Sequence, residues 1–135
     1  MAREGLWKEL DAALSWHPSD ANQTVTGTNN SCIQVLYRFS GVAAHAAAHP
    51  ERGRSALDSC EIMNVGVNYL REHVPDSVRM HYAYLDAGGA APNVVQSHAA
   101  LLYAIRAPEI SEVRSVLERV LDIAKGAALI CGTRS

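Results

Sequence analysis

The chain has 135 residues, 48% of them hydrophobic, and a formal net charge of −2 from 12 basic and 14 acidic side chains. That is one domain's length with apolar material for one core, which excludes a disordered tail. No basic patch and no apolar run near the roughly 20 residues of a membrane span is present, so neither nucleic acid nor a membrane is an expected partner.

The N-terminus, MAREGLWKEL, lacks the apolar centre of a signal peptide, and a cytoplasmic location is expected. Cys32, Cys60 and Cys131 are odd in number, far apart and without a Cys-x-x-Cys pair, so they read as reduced thiols.

In chain order, residues 3–8 read as the end of a helix. Residues 11–16 (DAALSW) read as a short buried strand, stopped by His17-Pro18 because proline donates no ladder hydrogen bond. Residues 19–30 are polar and read as a connector or hinge. Residues 31–40 alternate, with Ile33, Val35, Tyr37 and Phe39 on one face and Gln34, Leu36 and Arg38 on the other, which predicts a strand with one buried face.

A loop of small residues follows, carrying His45 and His49. Ala and Gly there allow another backbone to lie close while an imidazole projects. Ser55 is the expected N-cap of a helix, with Asp58 three residues on as a short-armed capping box. Ala56, Cys60, Met63, Val67, Leu70 and Val74 form its core-facing stripe, and Pro75 marks its end.

Residues 78–87 predict a second strand, with Met80, Tyr82 and Tyr84 on one face, and Gly88-Gly89 turns the chain. Residues 99–106 predict a third, with Leu101, Tyr103 and Ile105 on one face. Ser111 is the expected N-cap of a second helix with a stripe of Val113, Val116, Leu117, Val120, Ala124 and Ala127.

The order strand, helix, strand, strand, helix is five-sixths of a ferredoxin-like α+β sandwich: an antiparallel sheet with two helices on one face, lacking its last strand. The missing strand would lie beside residues 31–40, leaving that edge unpaired.

Four side chains are candidates for chemistry, and the residues alone leave each open. His45, among alanines, is either an idle exposed ring or a projecting functional one. Asn93, in GGAAPN, either bonds its own backbone or faces a ligand. Arg106 ends an apolar strand, as a solvated terminus or a carboxylate clamp. His17 follows an apolar run, where α/β enzymes place ligands, but one histidine makes no metal site. His49, before Pro50 and Glu51, suits a turn.

Three segments in order, GVAAHAAAHPERGRSALDSCEIMNVGVNYLREHV, GGAAPNVVQ and LYAIRAPE, resemble the lid, or dimerisation, domain of the zinc-dependent exopeptidases and amidohydrolases. That family includes carboxypeptidase G and succinyl-diaminopimelate desuccinylase. The resemblance covers nearly the whole chain and points to the branch cleaving aminobenzoyl-glutamate-like amides. It implies a two-domain enzyme with a zinc or manganese centre in its catalytic domain and a homodimer formed through the lid.

By the same resemblance, residues 1–30 end the catalytic domain and form the hinge, and residues 31–135 are the lid. His17 would be a metal ligand. His45 would bind the carbonyl oxygen of the scissile amide in the partner subunit's site, Asn93 would contribute to that site, and Arg106 would hold the substrate's free carboxylate. Ala44 stands where relatives more often have Ser before the histidine, and Gln96 where many have Pro.

The family's His-x-Asp motif, Glu-Glu pair and final metal-binding histidine are not recognisable. The chain is therefore expected to be part of such an enzyme, to bind no metal stably and to be inactive alone. The alternative is a standalone homodimeric ferredoxin-like interaction module without catalysis.

Overall fold

A computed structural model describes residues 2–24 and 27–135. Part of the expected connector, residues 25–26, lies outside the described residues. The elements run β1 (Ser31–Ser40), α1 (Ala56–Leu70), β2 (Arg79–Asp86), β3 (His98–Ala107) and α2 (Ile110–Cys131), with short 3₁₀ turns at Ala2–Glu4, Pro50–Arg52 and Arg71–His73.

The three strands form one antiparallel sheet in the order β1-β3-β2. β1 pairs along its length with β3, from Ser31 opposite Ala107 to Ser40 opposite His98. β2 pairs with the other edge of β3, from Arg79 opposite Arg106, with a bulge between Tyr84 and Asp86. Both helices pack on one face of this sheet and on each other. The architecture is the expected ferredoxin-like α+β sandwich.

The core follows the apolar periodicities. Phe39, Met80, Leu101, Tyr103 and Ile105 from the strands meet Cys60, Met63 and Val67 of α1 and Val113, Val120 and Ala124 of α2, all buried. Each large apolar side chain buried there contributes about 1.5–3 kcal/mol. Tyr82 and Tyr84 share the face of Met80 yet are 43% and 36% exposed, because the helices pack chiefly over β1 and β3 and leave the outer strand partly uncovered.

Ser55 caps α1 as expected, its hydroxyl accepting the Asp58 N–H at 3.0 Å. The start of α2 differs from expectation. Its N-cap is Glu109 and Ser111 lies inside the first turn. Glu109 accepts an N–H of that turn while Glu112 reaches back to the Glu109 N–H, and this reciprocal pair displaces the lone serine.

Residues 11–16 also depart from expectation. They form no strand, and Leu14 and Trp16 are 100% and 86% exposed. A strand needs a hydrogen-bonded neighbour, and none of the described residues supplies one to this segment. Residues 5–9 are turns, so the helical reading of 3–8 is reduced to the short turn at Ala2–Glu4. All three cysteines are free, Cys60 in the core and Cys32 on the surface.

Past α2, Gly132 takes the left-handed conformation (φ 66°) that ends the helix. Thr133 then meets Ser59 of α1, hydroxyl to hydroxyl at 2.7 Å. Ser40 and Arg134 exchange both backbone hydrogen bonds, at 2.8 and 2.9 Å. The chain therefore turns onto the β1 edge, on the side where the missing fourth strand was expected.

Candidate functional site

The loop after β1 is held by backbone on both sides. The Gly41 N–H donates to Ser97 O at 2.8 Å, and Val42 and Arg54 exchange two bonds of 2.9 Å. A side chain at Gly41 would put its Cβ 1.9 Å from the Arg54 carbonyl oxygen, so only glycine permits this approach. Farther along, Val95 N–H donates to Ala44 O and Ala46 N–H to Asn93 O, both at 2.9 Å, with His45 opposite Val94. Two loops distant in sequence are thus joined, and the backbone of Asn93 lies beside that of Ala46, the residue after His45.

The His45 ring is exposed but held in place. Its Nδ1 faces the backbone N–H groups of Ala47 at 3.2 Å and Ala48 at 3.1 Å. A ring nitrogen accepting two N–H groups carries no proton, so the neutral imidazole holds its hydrogen on Nε2, as an outward donor. The small neighbours permit the turn, and the turn selects the tautomer. Asn93 is exposed, and its side-chain amide makes no hydrogen bond among the described residues. The self-satisfied turn asparagine is therefore not what the structure contains. The His45 loop thus presents an imidazole N–H, and the Asn93 loop bonded to it a free side-chain amide.

The loop carrying Asn93 joins β2 to β3, and its two ends are clamped. Asp86 Oδ1 accepts the Gly88 N–H at 2.9 Å, and its other oxygen meets His98 Nδ1. The Gly88 N–H first, and His98 second, hold the Asp86 carboxyl below its ordinary range. Sequence inspection passed over this clamp. The Asp-x-Gly turn was its signal, while the return to His98 needed the fold.

Arg106 stands apart from this pair. It lies at the far end of β3, eight residues past His98, or about 27 Å at the usual rise per residue. It points to the open face of the sheet, away from the helices, with no hydrogen bond or ion pair among the described residues. His45, Asn93 and Arg106 of one chain therefore do not converge on one small ligand.

His17 lies in the exposed segment before β1, its Nδ1 2.8 Å from the Pro18 carbonyl oxygen. Among the described residues no group of three His, Cys, Asp or Glu side chains is placed to hold a metal ion. Nor is any helix among the described residues long and apolar enough to cross a membrane.

The peptidase dimerisation domain family matches residues 28–129. A p-aminobenzoyl-glutamate hydrolase component from Escherichia coli (strain K12) is 47% identical over 133 residues, covering 98% of this chain and 28% of that protein. A Xaa-Arg dipeptidase of Mus musculus is 30% identical over 128 residues, covering 95% and 29%. The chain thus spans under a third of the length of these relatives. Among solved structures, the aminobenzoyl-glutamate utilization protein from Klebsiella pneumoniae superposes with a TM-score of 0.66 at 28% identity, over 78% of this chain and 26% of that one. A hydantoinase/carbamoylase family amidase from Burkholderia ambifaria gives a TM-score of 0.72 at 16% identity over the same shares, a likeness of fold.

Proposed function

This chain belongs to the peptidase dimerisation domain family, and we propose that it is the lid and dimerisation part of a metal-dependent amidohydrolase cleaving an aminobenzoyl-glutamate-like amide. In this reading residues 1–30 end the catalytic domain and form the hinge, and residues 31–135 are the lid. His17 is a ligand of the zinc or manganese centre, which needs further ligands from outside this chain. The chain alone binds no metal stably and hydrolyses nothing. The enzyme is cytoplasmic.

The observation that supports the reading is the His45 ring, turned so that Nδ1 accepts from its own turn and the Nε2–H is left free, on a loop bonded to the one that carries Asn93. As an amide carbonyl is attacked, charge grows on its oxygen, and a preorganised N–H aimed there stabilises that charge without reorganising. Arg106 is a carboxylate holder, since an unpaired guanidinium forms two parallel charge-assisted bonds to one. The separation of Arg106 from His45 and Asn93 supports a homodimer in which His45 and Asn93 of one chain and Arg106 of the other serve the same substrate.

The test is hydrolysis of p-aminobenzoyl-glutamate with added zinc or manganese. The expected result is no turnover by this chain alone. Turnover is expected from a full-length subunit carrying this segment, and loss of it on His45→Asn. Metal-dependent turnover by the pure chain would overturn the reading, as would a fully active His45→Asn subunit.

A further inference from the structure

The open face of the sheet has an uneven charge distribution. At the Arg106 end, β3 presents Arg106 and Ala104, β1 presents Cys32 and Gln34 beside them, and β2 presents Arg79 and His81. Arg79 is the direct cross-strand partner of Arg106. Directly paired side chains on one face have Cβ atoms about 4.5–5.5 Å apart, and like charges so placed repel. No acidic side chain of the three strands joins them. The acid on this face, Asp86, is engaged by His98 at the other end of the sheet. Such a pairing in a chain of net charge −2 is not the product of a generally basic surface.

Arg79 is also oriented. Its Nη1 donates to the carbonyl oxygens of Asp76 and of Val78, the latter at 2.8 Å, which holds the guanidinium against the turn before β2 and leaves its Nε and Nη2 N–H groups without a partner among the described residues. Two guanidiniums rooted at directly paired positions of adjacent strands, one anchored and one free, suit a ligand with two anionic groups.

We propose that Arg79 and Arg106 form a two-arginine clamp for a ligand with two carboxylates, with Arg79 setting the preference for an acidic side chain. The inference rests on the carboxylate role given to Arg106 above. Arg106 takes the carboxylate common to all such ligands, and Arg79 takes the second one carried by glutamate-type compounds. Loss of Arg79 therefore removes discrimination, and loss of Arg106 removes binding.

The experiment titrates this chain with N-acetyl-glutamate and N-acetyl-glutamine, ligands of the same size with two and one free carboxylates, by amide chemical-shift changes. The dicarboxylate is expected to bind roughly tenfold more tightly, as one added charge-assisted contact allows. Arg79→Gln should bring N-acetyl-glutamate down to the level of N-acetyl-glutamine and leave the latter unchanged. Arg79→Lys keeps the charge without the fork and should lie between. Arg106→Gln should abolish binding of both.

Arg79→Gln that lowers both ligands equally, or neither, overturns the clamp while leaving Arg106 as carboxylate holder. An Arg106→Gln chain that still binds both overturns the role of Arg106 itself. A native chain that binds neither ligand, or both equally, also overturns the clamp. The amide spectra report folding of each variant in the same titration.

Discussion

Asp86 Oδ2 lies 2.5 Å from His98 Nδ1, so the last residue of β2 and the first of β3 close the base of the loop that carries Asn93. The Gly88 N–H, and then His98, hold the Asp86 carboxyl below its ordinary value of 3.8. A lowered pKa in the folded state means its stabilisation is complete above the unfolded value and is lost as pH falls through the folded one. Asp86→Asn should therefore flatten the acid limb of the stability curve below about pH 3.8 while leaving the neutral fold intact. Urea denaturation over a pH series measures this. Identical acid limbs in the two proteins would count against the clamp.

Tyr37 is buried on β1 with its ring edge-on to Tyr103, centroids 5.7 Å apart, and its hydroxyl has no hydrogen-bond partner among the described residues. Burial pushes that hydroxyl's pKa up to about 12. An unsatisfied buried hydroxyl costs roughly 1–3 kcal/mol, and phenylalanine keeps the ring while removing it. Tyr37→Phe should raise stability by about 1 kcal/mol. Destabilisation in urea would reveal a partner for the hydroxyl.

The outer edge of β2 has no strand beside it among the described residues, and Tyr82 next to it is half-exposed. Arg79 and Asp86 are the charged residues of this strand and stand at its two ends, so its middle lacks the usual guards against pairing. Pairing of two β2 strands about a two-fold axis would extend the sheet across both subunits. Sedimentation should show a dimer in the micromolar range. A monomer persisting at several hundred micromolar would sink this prediction.

The strands and α1 were legible because alternation and a four-three stripe are written directly in the apolar positions. Met63, Val67, Leu101 and Ile105 are buried as those patterns require. The start of α2 was not, because Glu109 and Glu112 outcompete Ser111 through a reciprocal pair that single-residue cap preferences miss. Residues 11–16 misled because an apolar run reads as buried whether or not a neighbour exists to cover it. His45, Asn93 and Arg106 were singled out in the sequence by resemblance alone. Where they stand relative to one another was not legible there, since it depends on the Ala44–Val95 and Ala46–Asn93 bonds and on register along β3. Arg79 had no local signal, because its meaning comes from standing opposite Arg106.

His45 separates a structural role from a chemical one. Its small neighbours predict that removing the ring changes stability little, yet the ring accepts two backbone N–H groups and so caps its own turn. His45→Ala should therefore cost about 0.5–1 kcal/mol, in the lower range of losing a capping side chain. His45→Asn should cost less, because an amide oxygen can accept the same N–H groups. Asparagine has no equivalent of the outward Nε2–H, so in a full-length subunit it should still lose about a hundred- to a thousandfold in turnover, the usual effect of removing one such donor. Equal activity loss with equal stability loss in both variants would mean the turn, not the donor, matters. The proposed trans arrangement adds a second readout. A His45→Asn subunit mixed with a His17→Ala subunit, each inactive alone, should regain part of the activity, because one site of the mixed dimer then has an intact His17 from one chain and an intact His45 from the other. Mixed dimers that form from folded parents and stay inactive would show that His45 serves its own chain's site.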